Sequence, residues 1–61
     1  MVTLYLGSRN PDVKLLQSLL NRIGYNAGPV DGQFGQRTLQ AVRTFQANHG
    51  LTPDGIVGPM T

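Results

Sequence analysis

Val30-Asp31-Gly32-Gln33-Phe34-Gly35-Gln36-Arg37-Thr38 returns further along the chain as Pro53-Asp54-Gly55-Ile56-Val57-Gly58-Pro59-Met60-Thr61. The shared word is Asp-Gly-x-x-Gly-x-x-Thr, with its two aspartates 23 positions apart, the spacing of a short helix-plus-loop unit used more than once. Within each copy an Asp side chain can bond the backbone just ahead of it, while the following Gly supplies a positive φ. Each copy therefore reads as a structured turn leading into a helix.

Upstream of the first copy, Val13, Leu16, Leu20 and Ile23 recur at steps of three and four, with Leu15 and Leu19 widening the stripe toward a core. The start of this helix is marked by Asn10 as a cap, Pro11 at the first helical position and Asp12 at the positive end of the dipole. Its stop is marked by Gly24, with Tyr25 placed to pack back on the last turn. Between the copies a second helix is expected from about Gln36 to Asn48, with Leu39, Val42 and Phe45 inward and Gln36, Arg37, Gln40 and Arg43 mostly outward. Gly50 ends it and Leu51 mirrors Tyr25. Gly58-Pro59 repeats the helix-starting pattern, so a third helix is expected to open there, truncated at Thr61.

The chain has 61 residues, room for one small core and a shallow surface site; a domain this size buries only about 60% of its unfolded surface. With no cysteine, neither a disulfide framework nor a Cys-based zinc site is available. The net charge of +2 favours anionic partners mildly without forming a dense basic patch. No apolar run approaches the roughly 20 residues of a membrane span, so no membrane partner is expected.

As an ordered set, Leu6-Gly7-Ser8-Arg9, Val13, Leu16-Gln17, Gly24-Tyr25, Val30-Asp31-Gly32, Phe34-Gly35, Thr38, Ala41-Val42, Phe45-Gln46, Gly50-Leu51 and Asp54-Gly55-x-Val57-Gly58-x-x-Thr61 resemble one family. The chain looks like the peptidoglycan-binding domain found beside catalytic domains of bacterial and phage cell-wall hydrolases. That resemblance covers nearly all of residues 1–61 and implies an all-α fold, a small three-helix bundle with two Asp-Gly loops. It also implies a fragment of a larger hydrolase, acting at the cell wall or outside the cell. The module itself would be non-catalytic and monomeric, without cofactor or nucleic-acid partner. It would bind peptidoglycan through the glycan strand, the stem peptide or both. Asn10 stands where the family commonly has glycine, and Asn caps a helix at least as well.

Candidate residues carry two readings each. Asp31 and Asp54 form the one plausible acid–base pair, yet both precede Gly in turns, where a carboxylate caps local amides. Gln17 and Gln46 follow core positions, and a buried amide needs partners on both ends. Each can clamp an Asp-Gly loop; alternatively Gln46 faces a groove and bonds a stem-peptide amide. Tyr25 and Phe34 either pack the core and loop or offer a flat face to a sugar or N-acetyl group. Arg37, beside the first loop, can pair a stem-peptide carboxylate in bidentate fashion or be a solvated charge. The candidate ligand groove is therefore Tyr25, Asp31, Gln33, Phe34, Arg37 and Gln46. His49, alone of its kind, suits the negative end of a helix and has no partners for a metal set.

Two rival classes share the composition. Gln36, Arg37, Gln40, Arg43 and Asn48 are base- and phosphate-reading types on one helix, but a helix-turn-helix joins its helices through roughly 3–4 residues, and the loop here is far longer. The other rival is an inert module that packs on a neighbouring domain.

Overall fold

A computed structural model describes residues 3–58. Regular structure among these residues is entirely helical: α1 spans Pro11–Arg22 and α2 spans Gln36–Asn48. The all-α class expected from the sequence holds, with two helices in the described part. The third helix expected at Gly58-Pro59 falls on Pro59 to Thr61, outside the described residues. No helix among the described residues is long and apolar enough to cross a membrane.

Both helices start and stop where their local chemistry dictates. Asn10, extended at φ −168°, accepts the Val13 N–H on its Oδ1 at 3.2 Å, and Pro11 occupies the first turn without needing a donor. At the far end Gly24 N–H donates to Asn21 O (3.3 Å) and Tyr25 N–H to Leu20 O (2.8 Å), the paired bonds of a Schellman close. Helix α2 ends identically, through Gly50 N–H to Ala47 O (3.3 Å) and Leu51 N–H to Gln46 O (2.8 Å). The repeat seen in the sequence is thus a repeat of helix ends as well as of loops.

The inward ridge of α1 is narrower than its leucines suggest. Val13, Gln17 and Leu20 are the buried residues, and Leu16 is partly buried. Leu15 is 60% exposed, because on a helix of 3.6 residues per turn it lies about 200° round from Gln17. Leu19 and Ile23 are also exposed, and with Leu16, Phe45 and Val57 they line an open apolar hollow of about 300 Å³. From α2, Thr38, Ala41, Val42 and Gln46 are buried. Ala27 and Phe34 of the connecting loop and Leu4 of the amino-terminal segment complete the core.

That amino-terminal segment joins the two Asp-Gly loops. Leu4 and Val57 exchange both backbone hydrogen bonds at 2.8 Å, a single antiparallel bridge to the second loop. A few residues on, Gly7 N–H donates to Phe34 O (3.0 Å), Phe34 N–H to Ser8 O (2.9 Å) and Asn10 N–H to Gly32 O (3.2 Å), tying it to the first loop.

A small core leaves little apolar area to hold long loops, and buried amides do part of that task. Gln17 is 1% exposed and Gln46 2%. No buried side-chain nitrogen or oxygen among the described residues lacks a partner.

Candidate functional site

The first Asp-Gly loop turns its backbone toward α1, presenting donors and acceptors to one point, and Gln17 meets both with a single amide. Its Oε1 accepts from Asp31 N–H (3.1 Å) and Gly32 N–H (3.0 Å). Its Nε2 divides two hydrogens among Asp31 Oδ1 (3.1 Å), Gln33 O (2.9 Å) and Thr38 Oγ1 (3.0 Å). The backbone amides can only donate, so the orientation of the side-chain amide is settled by its partners. Thr38 passes its own hydrogen to Ala27 O at 3.1 Å. Gln46 repeats the device on the second loop: Oε1 accepts from Gly55 N–H (2.9 Å), and Nε2 donates to Asp54 Oδ1 (3.2 Å) and Ile56 O (2.9 Å).

Both aspartates are thereby loop braces. Asp31 Oδ1 accepts from Gln33 N–H at 2.9 Å, and Asp54 Oδ1 from Ile56 N–H at 2.9 Å, the same two-residue side-chain turn. The Gln33 amide, followed by the Gln17 side chain, holds the Asp31 carboxyl below its ordinary range.

Of the six expected groove residues, two lie inside the fold. Phe34 is 2% exposed and Gln46 2%, the first packed among core side chains and the second occupied by the loop it clamps. In this geometry both side chains are enclosed, and the packing reading of Phe34 and the loop-clamping reading of Gln46 describe their contacts. Asp31, Gln33 and Arg37 are exposed and Tyr25 half-buried. Asp31 and Gln33 are neighbours through the side-chain turn, whereas Tyr25 belongs to a different place, beyond Ala27 and Gly28.

Tyr25 stands at one wall of a shallow polar hollow of about 230 Å³, formed with Gly24, Asn26, Gln40, Ala41 and Thr44. Its ring meets Phe45 edge-on, with centroids 5.5 Å apart and planes at 78°, and its hydroxyl accepts from Asn48 Nδ2 at 3.2 Å. Phe45 in turn lies 4.2 Å from the His49 ring, which caps this aromatic row at the helix end. The loop wall is equally well held. Asn21 accepts the Ala27 N–H on Oδ1 (2.8 Å) and donates from Nδ2 to Gly28 O (2.9 Å), and Asn26 Oδ1 accepts from Gly28 N–H (3.2 Å).

Arg37 lies outside the lining of this hollow, on α2 one turn before Gln40 and two before Thr44. Its aliphatic stem crosses Gly28, whose φ is +82°, so closely that a Cβ there would come 2.7 Å from Arg37 Cδ. Gln40 was legible as an outward-facing polar position and Thr44 was not singled out; their convergence with Gly24 to Asn26 depends on how α2 crosses the end of α1. Asn21 gave no sequence signal, since an exposed Asn late in a helix looks like any solvated residue. Among the described residues there is no group of three or more His, Cys, Asp or Glu that could hold a metal ion.

Residues 9–61 match the family described as "Putative peptidoglycan binding domain". The N-acetylmuramoyl-L-alanine amidase CwlM of Mycobacterium tuberculosis is 46% identical over 50 residues, 82% of this chain and 12% of that protein. A spore cortex-lytic enzyme of Bacillus cereus is 46% identical over 55 residues, 90% of this chain and 21% of the enzyme. The chain thus spans a minor part of both relatives. Among solved structures, the SleB N-terminal domain superposes with a TM-score of 0.91 at 41% identity, covering 97% of this chain and 81% of that one. A match over residues 9–61, more than half of the chain, settles its membership: it belongs to the peptidoglycan binding domain family.

Proposed function

We propose that this chain is a non-catalytic module that binds peptidoglycan and holds a linked cell-wall hydrolase on its polymeric substrate. The observation that carries the reading is the family match over residues 9–61, together with relatives that are wall-lytic enzymes and that the matched stretch spans only in small part. In this arrangement bond cleavage belongs to another domain of the same polypeptide, acting at the cell wall or outside the cell. Asp31 and Asp54 fit that division of labour, since both carboxylates are engaged in bracing their own loops.

Of the groove candidates, Asp31, Gln33 and Arg37 are exposed and Tyr25 is half-buried, so these four are within reach of a ligand. A monomer with a shallow site binds weakly, because few anchors must offset the entropy lost on association. Linkage to an enzyme on a polymer then raises occupancy through effective concentration. For the bundle, a third helix opening at Gly58-Pro59 is supported by the apolar hollow beside Val57, whose Leu19 and Ile23 are otherwise left in water.

Cosedimentation with purified sacculi tests the function. The chain is expected in the pellet, with modest dependence on salt. Retention on DNA or heparin that falls steeply with salt, without retention on sacculi, overturns the reading in favour of a nucleic-acid domain.

A further inference from the structure

We infer that the polar hollow between the α1–α2 turn and α2 is a subsite for one unit of a stem peptide carrying a free carboxylate. Asn26, Gln40 and Thr44 meet its amide groups, and Arg37 meets the carboxylate. The inference rests on the wall binding proposed above and names where, and through which part of the polymer, it occurs.

Three features favour it. The lining is neutral and mixes apolar with polar surface, with two carboxamides, one hydroxyl and a phenol around an alanine floor. This matches an amide flanked by a methyl group, the repeating chemistry of an alanine-rich peptide. One helical turn before Gln40, outside the lining itself, stands Arg37, a guanidinium suited to bidentate pairing with a carboxylate. Its stem is guided across Gly28, which offers no Cβ to push it aside.

The walls are also fixed before any ligand arrives. Tyr25 is pinned by Phe45 and Asn48, the Gly24-Tyr25 turn by the Schellman bonds, and Ala27 and Gly28 by Asn21. A preformed wall lowers the ordering cost of binding. At about 230 Å³ the hollow is smaller than the roughly 300–1,000 Å³ of a small-molecule site, so it takes a single unit of a polymer. Tyr25 is half-buried against Phe45, which suits contact with a methyl group better than the open ring face on which a sugar stacks.

The test is a chemical-shift titration of the intact chain with three probes: a stem tripeptide ending in a free carboxylate, its C-terminal carboxamide, and the peptide-free N-acetylated disaccharide. Sacculus cosedimentation is run in parallel. The free-carboxylate peptide is expected to move the backbone amides of Gly24 to Ala27 and the side-chain amides of Asn26 and Gln40 at millimolar concentration. The carboxamide should bind about tenfold more weakly, and Arg37→Gln should weaken the free peptide by the same factor while leaving its carboxamide unaffected. Gln40→Ala and Thr44→Val, both at exposed positions, should weaken both peptides, whereas Arg22→Gln, which removes equal charge elsewhere, should change neither. Retention on sacculi with shifts confined to Asp31 to Gly35, or with a response to the disaccharide alone, overturns the subsite and leaves the function standing. Failure to pellet with sacculi overturns both.

Discussion

Gln17 and Asp31 hold each other twice: the Gln17 Nε2 donates to Asp31 Oδ1 at 3.1 Å, and the Asp31 N–H donates to Gln17 Oε1 at 3.1 Å. One side chain on α1 thus pairs with both the backbone and the side chain of the residue on which the first loop turns. A side-chain amide suits this because the loop offers a donor and an acceptor at the same point, and the amide brings an acceptor oxygen and a donor nitrogen side by side. The pair closes a span of 14 residues, and it places the loop that carries Phe34 into the core.

Replacing Gln17 with Leu should therefore be severe. The leucine fills similar space but strands the Asp31 and Gly32 amides, and each buried unsatisfied donor costs about 1–3 kcal/mol. We expect a loss of about 3 kcal/mol in urea unfolding. Gln46→Leu should cost less, about 2 kcal/mol, because Gln46 accepts from one loop amide, Gly55, where Gln17 accepts from two. Equal losses, or a larger loss at Gln46, would contradict this ranking.

The glycines of the repeated word are unequal. Gly55 is buried at φ +75°, and a Cβ there would collide with Leu39 Cδ1, so Gly55→Ala should destabilise by about 2 kcal/mol. Gly35 is the N-cap of α2 at φ −99° with open space around its Cα, so Gly35→Ala should change stability by less than about 1 kcal/mol, the unfolded-state gain being offset by alanine's poorer capping. Thermal melts of the two variants separate the cases, and an intolerant Gly35 would show that its role has been misread.

Stability should fall in acid, and Asp31 should contribute to that fall. Its carboxyl titrates below the ordinary range in the folded chain, chiefly through the Gln33 amide and then Gln17. A depressed folded value means that the contribution is complete above the unfolded carboxyl value, about 3.9, and is lost as pH drops through the lower folded value. Asp31→Asn keeps an oxygen for the Gln33 N–H but removes the titration. Its stability should vary less with pH in this acid window than that of the parent, and identical pH profiles would rule out an Asp31 contribution.

Asn10→Ala removes the side-chain acceptor from the Val13 amide and should cost about 1 kcal/mol. Amide hydrogen exchange gives the more specific readout, with faster exchange concentrated in the first turn of α1. Uniform acceleration throughout the chain, without excess at Asp12 to Lys14, would argue against a local cap.

Removing the module from a parent hydrolase should reduce cleavage of intact walls by about tenfold or more, while cleavage of small soluble fragments stays nearly constant, because effective concentration matters only on the polymer. Turnover measured on both substrates decides this. Equal losses on the two would mean that the module supports the catalytic domain itself rather than its attachment.

Much of this architecture was legible in local chemistry. Asn10-Pro11 and Gly24 bound α1, and Gly50 closes α2, because caps and stops act over a few residues and leave their mark in short words of sequence. The loop-clamping reading of Gln17 and Gln46 was also available, since a buried amide must find partners. Burial itself was harder. Leu15 was read as widening the core-facing stripe of α1, and the helix leaves it 60% exposed. Phe34 carried a packing reading and a ligand reading, and Leu4 gave no local sign of its backbone pairing with Val57.

The sequence by itself determined the all-α class, the limits of both helices, the paired Asp-Gly turns and the family resemblance, all of which reside in residue types at short, regular spacings. Tertiary structure alone decided which amides are enclosed and where a hollow opens. Those outcomes depend on contacts across long separations, such as Gln17 with Thr38 over 21 positions and Tyr25 with Asn48 over 23. A side chain's exposure is set by the element that packs over it, and no local spacing records which element that will be.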